Sequence, residues 1–121
     1  METSNRLCMA IGMIETVKAV ENLEEILASG IDMIRVGRSD LSLDMGLTGK
    51  QKDPRFVETL RYITATAAKY HVPVGTAASD PEQAAYFRDL GFQCLSLESD
   101  LEQLKRSMAQ TLSGTREACG K

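Results

Sequence analysis

Short apolar runs alternate along this chain with stretches whose apolar residues recur every three or four positions. The first run, LCMAIGMI over residues 7–14, is too continuous for a half-exposed antiparallel strand. It predicts a strand covered on both faces. Over residues 17–28, Val20, Leu23, Ile26 and Leu27 follow helical spacing, and Gly30 stands where a helix stop is expected. A second strand is predicted over residues 31–36, ending in Gly37-Arg38-Ser39-Asp40. A long loop should follow, over about residues 41–52, with Gly46 and Gly49 inside it.

Asp53-Pro54 reads as a helix start, an N-cap acceptor followed by proline at the first helical position. That helix runs to about Tyr70 with Phe56, Val57, Leu60, Ile63 and Ala67 on one face. Residues 72–77 form a third strand, Asp80-Pro81 opens the next helix, and Gly91 ends it after Leu90. Residues 92–97 make the fourth strand. Ser99 with Glu102 forms a capping box for a last helix reaching about Leu112, and residues 113–121 are a polar tail, frayed and outside the ordered part at 7–112. The order βαβαβαβα predicts an α/β fold, one domain over residues 1–121, with an all-parallel sheet and right-handed crossovers.

Composition narrows the functional classes. The chain has 121 residues, a net charge of −3, 5% aromatics and no Trp. With no basic stripe, nucleic-acid binding is not expected. No apolar run approaches the roughly 20 residues of a membrane span, and the polar start MET-SNR lacks a signal-peptide apolar region. Cys8, Cys94 and Cys119 have neither zinc nor disulfide spacing. They read as reduced thiols of a cytoplasmic protein, two in apolar strand-like runs and one in the tail.

In parallel α/β sheets ligands bind at the carboxyl ends of the strands. The positions there are Glu15-Thr16, Gly37 to Asp40, Thr76 to Ser79 and Glu98 to Asp100. Glu15 and Asp40 each follow a strand directly, and those strands are consecutive. On neighbouring strands, about 4.8 Å apart, the two carboxylates can reach one divalent cation. Oxygen ligation of that kind suits Mg2+ or Mn2+, with waters and substrate completing the shell. The competing reading makes both residues plain helix-start or turn acids. Gly37 permits a sharp turn, and the amides after it can face an anion; an ordinary strand-to-loop turn accounts for the same residues equally well. The long loop that follows has the length of a lid or binding element. His71 precedes the third strand, at the wrong end of the sheet, and reads as a structural or solvent-facing residue rather than a catalytic one. The capping box explains Ser99 and Glu102 near Glu98 and Asp100 without chemistry. No GxGxxG, P-loop, GxSxG or CxxC spacing occurs, which argues against nucleotide binding and triad hydrolysis.

These residues carry a family resemblance. Met13-Ile14-Glu15-Thr16, then Ala19-Val20-Glu21-Asn22-Leu23 and Ile26, resembles one segment of the HpcH/HpaI aldolase/citrate lyase family. Gly30-Ile31-Asp32, Val36-Gly37, Asp40-Leu41-Ser42 and Met45-Gly46 is similar to another. Looser similarity continues through Gly49, Pro54, Pro73-Val74-Gly75 and Ser99-Asp100. The resemblance implies a (β/α)8 TIM barrel of the phosphoenolpyruvate/pyruvate type, of which this chain is the C-terminal (βα)4 half. It implies that Glu15 and Asp40 are metal ligands, and that Gly37, Arg38, Ser39 and Asp40 form the substrate-binding segment for a pyruvate carboxylate. It further implies carbon–carbon bond cleavage or formation next to pyruvate, through an enolate stabilised by Mg2+, Mn2+ or another divalent cation. The implied partner is a small 2-oxo acid such as pyruvate or oxaloacetate; related branches handle citrate-like or malyl-type substrates as CoA thioesters, or are citrate-synthase-like.

Two departures stand out. The family has proline where this chain has Arg38; that cation could favour a more acidic substrate or simply be solvated. The family's catalytic histidine dyad and pyruvate-binding arginine belong to the amino-terminal half, so no catalytic residue maps onto this one. Four βα units alone also leave two open edges and an uncovered apolar face. Expected states are therefore a homo-oligomer, a partner chain supplying the missing half barrel, or a truncated product. Besides the lyase, a non-catalytic metal/2-oxo-acid-binding or oligomerisation module and a flavodoxin-like regulator remain as competing readings.

Overall fold

The computed structural model describes residues 7–97 and 99–120. Four strands, β1 (Ile11–Ile14), β2 (Met33–Val36), β3 (Val74–Ala77) and β4 (Cys94–Ser96), form one sheet in the order β1-β2-β3-β4, with every pair parallel. Between and after them lie six helices: α1 (Val17–Glu21), α2 (Leu23–Ala28), α3 (Arg38–Asp44), α4 (Pro54–Lys69), α5 (Pro81–Asp89) and α6 (Asp100–Ala118). Glu98, a candidate rim position, lies outside the described residues, as does the hexapeptide at the amino terminus.

One face of the sheet is covered. Ile14, Ile34, Val36 and Val74 alternate onto it and meet Leu23, Leu27, Phe56, Leu60 and Ile63 from the helices. The other face is largely open: Ile11 and Met13 on β1 are 54% and 49% exposed, and Cys94 on β4 is exposed. Among the described residues, every helix that packs on the sheet packs on one side, so they do not supply the cover expected on the second face of β1. All three cysteines are free and exposed.

Local chemistry explains most boundaries. Asp53 caps α4 by accepting from the Arg55 N–H, and Asp80 caps α5 by accepting from the Gln83 N–H at 2.7 Å, each followed by proline in the first turn. Asp32 fixes the start of β1: its carboxylate accepts from the Ala10 N–H at 2.7 Å, and its own N–H donates to the Ala10 carbonyl. The Thr64 hydroxyl, buried on α4, donates to the Leu90 carbonyl at 2.8 Å and ties α4 to the end of α5.

Three elements differ from the sequence reading. The helix expected over residues 17–28 is divided at Asn22, which ends α1 and opens α2. The expected long loop begins as α3, with Leu41 and Ser42 buried; Gly46 and Gly49, both at positive φ, shape only the connection after it. The polar tail is helical as far as Ala118, so α6 runs past Leu112. Its capping box is half formed. Ser99 accepts from the Glu102 N–H, whereas the Glu102 carboxylate pairs with Lys105. Every described residue of α6 is exposed, including a stripe of Leu101, Leu104, Met108 and Leu112.

Candidate active site at the carboxyl edge of the sheet

Register brings the candidate residues to one rim. Ile14 pairs with Val36, and the Gly37 N–H donates to the Ile14 carbonyl, so Glu15 and Gly37 follow side by side. Arg35 pairs with Gly75 and Ala77 with Ser96. Glu15, Gly37, Ala77 and Ser96 thus form one row across the four strands, all on the open face. Glu15, Gly37, Ser39 and Asp40 line a single cleft of about 200 Å3, together with Met13 and Arg35.

Gly37 matters here for space rather than for its turn. Its φ of −81° is open to any residue. A Cβ at this position would stand 3.0 Å from the Glu15 Cβ and 3.2 Å from Glu15 Oε2. The glycine therefore lets the Glu15 side chain lie against the neighbouring strand.

The two carboxylates differ from the acids around them. Asp32 accepts from Ala10 N–H, and Asp44 accepts from Val17 N–H at 2.7 Å, which anchors α3 to the start of α1. Among the described residues, neither the Glu15 nor the Asp40 carboxylate has an ion-pair or hydrogen-bond partner, and no cluster of three His, Cys, Asp or Glu side chains forms. Two acids on one cleft, both free to accept, suit a divalent cation whose remaining positions come from water and ligand. Asp40 sits in the first turn of α3. The N–H groups of Arg38, Ser39 and Asp40 precede the first intrahelical bond, from Leu41 N–H to Gly37 carbonyl, and Gly37 has no side chain to cap them.

Arg38 also lines the cleft, with its guanidinium held by neighbouring groups of the protein. Its Nε donates to Thr76 Oγ1 at 3.1 Å, and its terminal nitrogens donate to Gln51 Oε1 at 2.7 Å and to the Ala77 carbonyl at 2.9 Å. Its guanidinium also stacks over the Phe87 ring at 4.2 Å. Partial burial lowers its pKa from the ordinary arginine value, and it stays charged. The buried Thr76 hydroxyl in turn donates to the Val36 carbonyl at 3.2 Å. Arg38 thus fastens β2, β3, the connection after α3 and α5 together behind the rim.

His71, at φ +57°, lies in the turn before β3, at the opposite end of the sheet from the cleft. Arg35 was not among the candidates taken from the sequence. The available signal was a lone cation inside the apolar run of residues 31–36, in register with Met13 on β1.

A parallel sheet in the sequential order β1-β2-β3-β4 with its helices packed on one side is the arrangement of half a TIM-type α/β barrel. The sequence profile of the HpcH/HpaI aldolase/citrate lyase family matches residues 2–107, and the chain belongs to that family. It is 29% identical over 117 residues to a hydroxypyruvate/pyruvate aldolase of Paraburkholderia phytofirmans, covering 96% of this chain and 45% of the relative. It is 32% identical over 111 residues to a 5-keto-4-deoxy-D-glucarate aldolase of Klebsiella pneumoniae, covering 91% of this chain and 43% of that protein. Among solved structures, an HpcH/HpaI aldolase/citrate lyase family protein from Burkholderia cenocepacia superposes with a TM-score of 0.87 at 28% identity, over 95% of this chain and 45% of that one. The chain spans less than half the length of the curated relatives it matches. Among the described residues no helix is long and apolar enough to cross a membrane.

Proposed function

We infer that this chain is the C-terminal half of a divalent-metal-dependent aldolase-type lyase acting on pyruvate-derived 2-oxo acids. The observation that carries the reading is that Glu15 and Asp40, whose carboxylates have no partner among the described residues, line one cleft at the carboxyl end of a parallel sheet. Glu15 and Asp40 would hold Mg2+ or Mn2+. Bound there, the cation supplies Lewis-acid polarisation of the 2-oxo group.

The chain's own residues do the rest of the positioning. The free N–H groups at the start of α3, around Ser39 and Asp40, accept a small anion such as the carboxylate of pyruvate or oxaloacetate. Gly37 keeps the space between Glu15 and β2 clear. Arg38 holds the rim rigid from behind. The histidine of this half, His71, lies at the other end of the sheet from the cleft. Proton transfer is therefore assigned to the other half of the barrel. The open face bearing Ile11 and Met13 supports an assembly in which a second copy, or a chain supplying the first half, covers it.

The test is thermal melting of the chain with Mn2+, with pyruvate, and with both. Pyruvate should raise the melting temperature only when Mn2+ is present. Retro-aldol release of pyruvate from a 4-hydroxy-2-oxo acid should require addition of the amino-terminal half of a full-length relative. Stabilisation by Mn2+ and pyruvate with no lyase activity in the completed barrel would favour a non-catalytic binding module. No stabilisation by either ligand would overturn the reading.

A further inference from the structure

The cleft contains a cation that the family pattern quoted above does not include. Arg35 stands on β2 two residues before Gly37, on the open face, and lines the same cleft as Glu15 and Asp40. One of its terminal nitrogens donates to Ser96 Oγ at 2.6 Å. Ser96 belongs to the rim row, so the guanidinium crosses β3 and rises to the level of Glu15. The row between Glu15 and Ser96 holds only Gly37 and Ala77, which leaves a gap of three strand spacings, about 14 Å. Glu15 and Asp40 lie toward one end of this gap and the guanidinium toward the other. Among the described residues no carboxylate pairs with Arg35. A half-buried guanidinium with a neutral partner and free donors is suited to a ligand carboxylate, which it can grip in a planar, charge-assisted fashion. The rim row limits how the ligand can lie: its 2-oxo acid end at Glu15 and Asp40, its far end over Ala77.

We propose that Arg35 is a specificity-determining residue that selects 2-oxo acids carrying a second carboxylate at the end away from the oxo group. The proposal rests on the assignment of the 2-oxo acid end to Glu15 and Asp40. It makes the preferred ligand a dicarboxylate rather than a simple monocarboxylate. Ser96 is a positioning residue that keeps the guanidinium at rim height.

The experiment compares two ligands of equal length that differ only in the distal group, 2-oxoglutarate and 2-oxopentanoate. Each is titrated calorimetrically into the chain in saturating Mn2+. The unaltered chain should bind the diacid more tightly. Arg35→Met should lose about tenfold or more of that preference by weakening the diacid alone, as expected for one charge-assisted contact. Arg35→Lys, which keeps the charge without the planar fork, should recover part of it. Equal circular-dichroism melts would show that the variants fold. An unchanged preference in Arg35→Met overturns the proposal while leaving the metal assignment intact. So does equal weakening of both acids, which would place Arg35 on the 2-oxo acid end. Binding of neither acid in Mn2+ overturns the underlying assignment and the proposal with it.

Discussion

Replacing Gly37 by alanine tests how closely the site depends on the contact between β1 and β2. The backbone itself accommodates alanine, since φ is −81°. The cost arises from the new methyl, 3.0 Å from the Glu15 Cβ, 3.2 Å from Glu15 Oε2 and 3.5 Å from Met13 Sδ. Carbon atoms in favourable contact stand about 3.5–4.0 Å apart. The Glu15 carboxylate can rotate away, but its Cβ is fixed to a strand end hydrogen-bonded to Gly37 N–H. The strand ends must part by a few tenths of an ångström or more, and overpacking of this kind costs about 1–3 kcal/mol. At about 4 °C per kcal/mol, Gly37→Ala should melt some 4–12 °C below the unaltered chain. Because the carboxylate is also displaced, Mn2+ affinity should fall about tenfold or more, since ligand positions are tolerated only within roughly 0.2 Å. Differential scanning calorimetry and Mn2+ titration of one preparation measure both. An unchanged melting temperature together with unchanged Mn2+ affinity would refute the reasoning, because the close approach would then have no consequence.

Further outcomes follow from the other contacts. Arg38→Met removes three hydrogen bonds and the Phe87 stacking, so stability should drop by about 2–3 kcal/mol in urea, with faster amide exchange around Gln51; an intact exchange pattern would disprove the fastening role. Thr64→Val leaves the Leu90 carbonyl without its buried donor and should cost about 1–3 kcal/mol by the same urea measurement, whereas a neutral result would mean water replaces the hydroxyl. Hydrogen bonds from the Arg55 side chain lower the pKa of Asp53, and the backbone N–H of Gln83 lowers that of Asp80. Both groups bind protons less readily folded than unfolded, so their stabilisation is complete above the ordinary carboxylate range near pH 4 and is lost as pH falls through the depressed folded values. The urea midpoint should therefore decline on acidification, and less steeply in an Asp53→Asn, Asp80→Asn double variant; identical slopes would refute the capping account.

What could be seen in advance was what short-range chemistry writes into the chain. Asp53-Pro54 and Asp80-Pro81 announced their helices because an N-cap needs only the residues that follow it. The four strands and their parallel order followed from apolar runs alternating with helical periodicity, and the Glu15 and Asp40 positions followed from that order. Long-range contacts were not legible. Arg38 reads from the sequence as part of a substrate-binding turn or as a solvated cation; its partners Thr76, Ala77 and Phe87, far along the chain, meet it only in the folded structure. Helix α3 was hidden by Gly46 and Gly49, which suggest loop, while the burial of Leu41 and Ser42 that supports it is tertiary. The extension of α6 beyond Leu112 runs into the polar terminal stretch from Ser113, whose polarity and position at the chain end pointed to fraying. The open face of β1 depends on which elements stand beside it, and an apolar run alone cannot say whether its cover lies in the same chain.

Two oxygen-bearing side chains sharing one ion is a statement about stoichiometry and dependence, and electron paramagnetic resonance of free Mn2+ reads both directly. Titration of the chain should show one bound Mn2+, with Glu15→Gln and Asp40→Asn each weakening it about tenfold or more, given that even outer-shell changes cost 10–100-fold. Mn2+ that stays free in the presence of the unaltered chain, or binds both variants as tightly as the unaltered chain, would contradict the account.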